Sequence, residues 1–152
     1  MLKSIDPLLD ADLLYALRAM GHGDDLIVAD ANFPALAIAR DTVLGEPLRV
    51  PETTARVLEA ILSVYPLDTF VDDAVGRMEV VGEPETVPDV QAEAQALIDR
   101  VHGSPLKLMG IERFAFYDRA RAAFAVVQTA ERRPYGCIAM RKGVIGPDGE
   151  VI

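Results

Sequence analysis

A chain of 152 residues, 51% hydrophobic and 26% charged, has the size and mixture of one folded domain rather than of a disordered tract. Its net charge of −9 and isoelectric point near 4.6 argue against nucleic acid and anionic membranes as partners, because such a surface repels phosphate. With aromatics at 6% and no Trp, the core must come from Leu, Val, Ile and Ala.

The first residues, Met1 to Pro7, carry an early acid and a proline and do not read as a signal peptide. No segment approaches the roughly 20 consecutive apolar residues of a membrane span. The expectation is a soluble, cytoplasmic protein. From Pro7 to Met20, the residues Leu9, Leu13, Leu17 and Met20 recur at spacings of four, four and three, which predicts an amphipathic helix closed by Gly21. Leu26 to Ala29 is a short apolar run ending at Asp30 and predicts a strand buried on both faces. Asn32-Phe33-Pro34 breaks it. A helix is predicted over about 52–64, an alternating strand over Arg77–Val81 and a turn-rich connection over Gly82–Pro88. A helix over about 90–101 follows, ended by His102-Gly103-Ser104-Pro105, then a strand over Leu106–Met109 and a helix over Arg113–Ala123. Val126–Thr129 and Ile138–Met140 are the last predicted strands. Strands alternating with helices predict an α/β fold, one compact domain over residues 1–152 with a central sheet flanked by helices.

Chemistry concentrates first at Gly21-His22-Gly23-Asp24-Asp25. Glycines on both sides leave His22 lightly covered, and imidazole both gives and takes protons near neutrality. Asp30 falls at the carboxyl end of the following strand, where α/β sheets place ligands. The same residues also suit a plain helix-capping loop in which His22 merely bonds a carbonyl, and spacing alone leans toward that reading. A metal site has little support, since His22 and His102 are the only histidines and neither has a ligand spacing. His102 reads as an exposed helix-end cation.

A second group, Ile111 to Ala120, offers the guanidinium of Arg113 and the hydroxyl of Tyr117 at a strand-to-helix junction. On the residues alone, Phe114 and Phe116 read first as core, since aromatics at helical spacing are usually packing, and Arg113 as one half of a surface ion pair. A third, Glu131 to Ile138, presents Tyr135 on a turn made by Pro134 and Gly136. Glu131-Arg132-Arg133 with Arg141-Lys142 forms a short basic patch and reads as a solvated face. The lone Cys137 excludes an internal disulfide and suits a reducing compartment. Neither a phosphate-binding loop nor a dinucleotide fingerprint is present.

Taken in order, these blocks resemble the L-fucose mutarotase and D-ribose pyranase family. The resemblance runs through Met1-Leu2-Lys3, Met20 to Asp24, Asp30 to Ala35, Ile111 to Ala120, Ala123-Phe124-Ala125, Thr129, Glu131-Arg132, Tyr135-Gly136 and Lys142 to Val144. Gly-His-Gly-Asp and Arg-Phe-Ala-Phe-Tyr are the wording of the fucose branch. The resemblance implies the α/β fold of that family, with the general acid/base at His22. Substrate-binding groups would be Asp30, Arg113, Tyr117, Tyr135, Gly136 and Cys137. It also implies a homo-oligomer, a ring-shaped decamer or lower multiple, whose pockets are shared between neighbouring subunits. The implied reaction opens and recloses the ring of a free monosaccharide such as L-fucose by proton transfer, with no metal and no cofactor. Phe33 would offer an apolar contact to a C6 methyl. Two positions depart from the pattern: Cys137 stands where the fucose branch has Asn, and Asn32 where the family has His. The sugar is therefore left open, as are the subunit number and the role of residues beyond Val144. The alternatives are D-ribose pyranase, a mutarotase of another hexose or deoxyhexose, and a non-catalytic sugar-binding oligomer.

Overall fold

Leu26, Ile27, Val28 and Ala29 are fully buried because their strand lies inside a sheet covered on both faces. The computed structural model describes residues 2–102 and 106–152. Met1 and the predicted stop at Gly103-Ser104-Pro105 lie outside them. The strands are β1 (Asp25–Ala29), β2 (Leu48–Val50), β3 (Val75–Met78), β4 (Met109–Ile111), β5 (Ala125–Thr129) and β6 (Ile138–Arg141). They form one six-stranded sheet in the order β2-β5-β1-β6-β3-β4. β1, β2 and β5 run parallel, as do β3 and β4, while β6 pairs antiparallel with both β1 and β3. This is the expected single α/β domain with a central sheet.

The two-residue period of β1 divides the core. Leu26 and Val28 face helices α1 (Ala11–Ala19), α3 (Thr54–Leu62) and α4 (Asp89–His102), with Leu13, Leu58, Ile61 and Ile98 among them. Ile27 and Ala29 face α2 (Ala35–Ala39) and α5 (Arg113–Ala122), with Ile38, Phe116 and Ala120. Full burial of each large aliphatic side chain contributes about 1.5–3 kcal/mol. Among the described residues, no helix is long and apolar enough to cross a membrane.

Several boundaries differ from expectation for identifiable reasons. The first helix begins at Ala11 rather than near Pro7, because the Asp10 carboxylate accepts from Leu13 N (2.9 Å) as the N-cap, while Asp6 folds the preceding residues into a turn. Met20, not Gly21, caps its other end, and the lysine predicted to lie on a solvated face closes it: Lys142 Nζ donates to the carbonyls of Leu17 (2.7 Å) and Met20 (2.6 Å). The strand expected over Leu106–Met109 starts only at Met109. Gln95 mimics a neighbouring strand before it, donating to Leu106 O (2.8 Å) and accepting from Leu108 N (2.8 Å). α2 and β2 are additional elements too short to show a period.

At the far end of β6 the chain passes against residues 66–68. Gly143 N donates to Pro66 O (2.9 Å), and a Cβ on Gly143 would overlap the Leu67 carbonyl. Beyond it, Ile145 bridges to Val151, and Thr69 Oγ1 donates to Ile152 O (2.8 Å). Gly143→Ala is expected to cost about 1–3 kcal/mol, seen as a fall in Tm of roughly 3–10 °C in thermal unfolding. An unchanged Tm would show that the contact yields freely.

Candidate active site

The strand ends decide where the polar groups gather. Because β6 runs against its neighbours, the turn before it lies at the edge where β1, β3 and β5 finish. Asp30, just after β1 and 4% exposed, meets that turn. Its Oδ2 accepts from Gly136 N (3.1 Å) and lies 3.5 Å from Cys137 Sγ, while Oδ1 accepts from Asn32 N (2.9 Å). Burial, reinforced by the Asp30 charge, pushes the Cys137 thiol well above its ordinary range. It stays protonated and donates to Asp30, which removes it as a nucleophile. Gly136 permits the close approach: a Cβ there would come within 3.0 Å of Glu131 Cγ and 3.2 Å of Thr54 Oγ1. Thr54 Oγ1 donates to Gly136 O (3.1 Å), fixing the other side of the same residue.

Tyr135 holds a left-handed backbone (φ 63°), uncommon for a residue with a side chain, and its phenol oxygen accepts from Val81 N (3.3 Å). Phe33 is buried and packs against Tyr117 (ring centroids 5.6 Å) and Phe116 (6.2 Å). On its other side it lines a separate groove of about 430 Å³ with Leu36, Arg40 and Gln128. Arg113 begins α5, which Glu112 caps by accepting from Phe114 N and Ala115 N. The Arg113 guanidinium lies 4.7 Å over the Phe114 ring, and its Nε is buried with no hydrogen-bond partner. It has not been spent on a surface ion pair among the described residues. The structure thus brings Asp30 into direct contact with Gly136 and Cys137, with Tyr135 next in the same turn, and sets Tyr117 and Arg113 at the same sheet edge.

His22 lies elsewhere. It precedes β1, so the whole strand, roughly 16 Å at about 3.3 Å per residue, separates it from Asp30. One chain does not bring the two to one monosaccharide. The imidazole is half exposed; its Nε2 lies 3.2 Å from Oδ2 of the buried Asp68, and its ring meets Phe70 edge-on (5.8 Å). Asp68 is the group that sequence reasoning missed, being 46 residues away with no spacing to mark it. Phe70 N donates to its other oxygen (2.9 Å). His102, expected as an exposed cation, is half-buried instead: its Nε2 accepts from Leu67 N (3.2 Å), and burial lowers its pKa. No group of three or more His, Cys, Asp or Glu among the described residues could hold a metal.

Two arginines of the basic patch are also spent internally. Arg133 pairs with Glu131 (2.8 Å) and Glu93 (2.7 Å), and Arg141 with Asp73 (3.0 Å) and Asp25 (3.4 Å). Hydrogen bonds from Arg133 hold the Glu131 carboxyl down at about 2, from an ordinary 4.5. A depressed carboxylate stabilises the fold above its unfolded pKa and loses that contribution as pH falls through its folded value. Arg133→Met should therefore lower stability at neutral pH, with the gap to wild type closing between about pH 4.5 and 2. Denaturant unfolding across that range reads the effect, and a gap independent of pH would assign the loss to packing.

Residues 3–145 match the RbsD/FucU transport protein family. The L-fucose mutarotase of Actinobacillus pleuropneumoniae serotype 5b is 40% identical over 144 residues, covering 95% of this chain and 97% of that one. A solved structure of the protein Atu2016 superposes with a TM-score of 0.93 at 52% identity, covering 96% of this chain and 97% of that one. The fucose mutarotase of Streptococcus pneumoniae, solved in complex with L-fucose, superposes with a TM-score of 0.85 at 32% identity, over 95% of this chain and all (100%) of that one. By sequence over nearly its full length and by fold, the chain belongs to the RbsD/FucU family.

Proposed function

We propose that this chain is a mutarotase, interconverting the α and β anomers of a free monosaccharide, L-fucose first, and that its working pocket forms between copies of the chain. The observation that carries this is the division of the polar groups. A half-exposed imidazole backed by a buried carboxylate sits at one sheet edge, and a hydroxyl-gripping set around Asp30 sits at the other. Each lacks what the other supplies. The A. pleuropneumoniae and S. pneumoniae relatives, both named fucose mutarotases, support the reaction and the sugar. The family resemblance supports a ring-shaped homo-oligomer, a decamer or lower multiple, in which neighbours share each pocket. A free, buried Cys137 suits a cytoplasmic setting.

In this reading His22 of one copy reaches the Asp30 edge of another. Donation of Nε2–H to Asp68 fixes the tautomer and leaves Nδ1 toward the sugar. Nδ1 takes the proton of the anomeric hydroxyl, and the imidazolium so formed delivers it to the ring oxygen as the C1–O5 bond breaks and the C1 carbonyl forms; the C1–C2 bond turns, and reclosure reverses both transfers. Asp68 steadies the imidazolium while it is charged. Asp30 accepts from sugar hydroxyls, Arg113 donates to them, and Tyr135 and Tyr117 pack on the ring or pass protons, with Gly136 and Cys137 shaping the floor. Only protons move, so the step calls for no cofactor and no metal. The Phe33 side of the pocket suits a C6 methyl.

NMR saturation transfer between the anomeric protons measures the reaction directly. Wild type should speed exchange of L-fucose, and His22→Ala should lose about 10²- to 10⁴-fold of that rate. Equal exchange in the mutant would remove His22 from the mechanism. The shared pocket has its own test. Co-expressed His22→Ala and Asp30→Asn chains, each inactive alone, should recover about a quarter of wild-type activity if random neighbours rebuild intact pockets. No recovery would place both residues in one chain's pocket.

A further inference from the structure

Tyr135 is held in its left-handed conformation from both ends, and both holds lead back to one buried cation. Its carbonyl accepts from Gln91 Nε2 (2.9 Å), and its phenol oxygen accepts from Val81 N (3.3 Å). Gln91, on α4, is fully buried; its Nε2 also donates to Met78 O (2.7 Å), so both amide protons are used. Its Oε1 accepts from Arg77 Nη1 (3.3 Å). Arg77, on β3 and only 8% exposed, donates further to Pro84 O (2.9 Å) and Thr86 O (3.4 Å), the loop that follows Val81.

The chemistry of these partners leaves one arrangement. A guanidinium has donors only, so the atom of Gln91 that faces it must be the oxygen. The amide nitrogen is then turned toward the two carbonyls. Turned over, the amide would set oxygen against both carbonyls and its donors against the guanidinium, so the three partners fix it together, and an apolar side chain at position 77 would remove the anchor on its oxygen. A left-handed non-glycine residue is strained and persists only where its surroundings over-determine it. Here the surroundings are Gln91 and Val81 on Tyr135, with Asp30 and Thr54 on Gly136.

We propose that Gln91, with its amide orientation set by Arg77, is a positioning residue for the sugar: it keeps Tyr135 left-handed and so aims the Tyr135-Gly136-Cys137 segment at the substrate. It touches no sugar itself. The functional side of this inference rests on the mutarotase reading, whereas the backbone side does not.

Gln91→Glu separates the two. The glutamate keeps the volume and gives Arg77 a carboxylate, but it removes both N–H donors. Amide hydrogen exchange at Gly136, whose N–H is bound to Asp30, should accelerate about tenfold or more, while the amides of β1 and β5 stay within about twofold. kcat/KM for L-fucose should fall by about tenfold or more, mostly through KM. Arg77→Met, which leaves Gln91 its two donors but removes the anchor on its oxygen, should give the same local loss to a smaller degree, and it carries the test should Gln91→Glu fail to fold. Unchanged exchange at Gly136, or acceleration shared equally by the sheet amides, would overturn the proposal. Should wild type fail to speed exchange of any sugar, the mutarotase reading falls, and the Gly136 amide still decides the positioning role.

Discussion

The reversed direction of β6 governs where chemistry can assemble in this fold. Five strands finish at one edge, and β6 alone begins there, so the turn before it drops onto the carboxyl end of β1. The buried carboxylate of Asp30 closes the join by accepting from Gly136 and Cys137. The same strand leaves at the opposite edge, where Lys142 closes α1 and Gly143 meets Pro66. That contact brings the neighbouring Asp68 beneath His22. One short strand therefore braces a polar cluster at each of its ends, and neither cluster could be moved without unpairing the middle of the sheet.

What could be read from the chain, and what could not, follows from the range of the forces involved. Leu26 to Ala29 announced a strand buried on both faces because burial leaves a continuous apolar run. Asp30, Tyr135, Gly136 and Cys137 sit in local blocks whose turn chemistry is written in a few adjacent residues, and the structure brings these together. Asp68 and Gln91 act across 46 and 44 residues, through single side chains in otherwise ordinary surroundings. Nothing local marks them. Arg77 misled in a specific way: an alternating Arg-Met-Glu-Val pattern suggests a strand with one wet face, yet β3 is buried throughout and the arginine is satisfied by carbonyls. His102 misled similarly, since a histidine at a helix end looks like a cation until a backbone N–H is found pointing at its ring nitrogen.

The acidic balance of the chain reads differently once the pairs are known. Arg133, Arg141, Arg119 and Lys142 are all engaged in tying loops, strand ends and a helix terminus together. Arg119 grips Asp25 with two bonds (2.7 and 2.9 Å) in a site only about an eighth exposed, where the partnership is costly to break from one side. Arg113 stands apart from this use, with a buried Nε that no group of the described chain satisfies. Arg141 Nε also lacks a hydrogen bond, but Asp25 and Asp73 hold its guanidinium, whereas Arg113 pairs with no carboxylate among the described residues and is the more natural grip for a ligand oxygen.

The length of β1 carries a consequence for how such a protein behaves in a cell. Under the shared-pocket reading, a rigid five-residue spacer makes every copy a giver at one rim and a receiver at the other. Turnover per chain then depends on how crowded the chains are, fading on dilution even though each remains fully folded. A copy damaged at both rims silences two centres rather than one, so a minority of such chains weighs on the whole population out of proportion to its number.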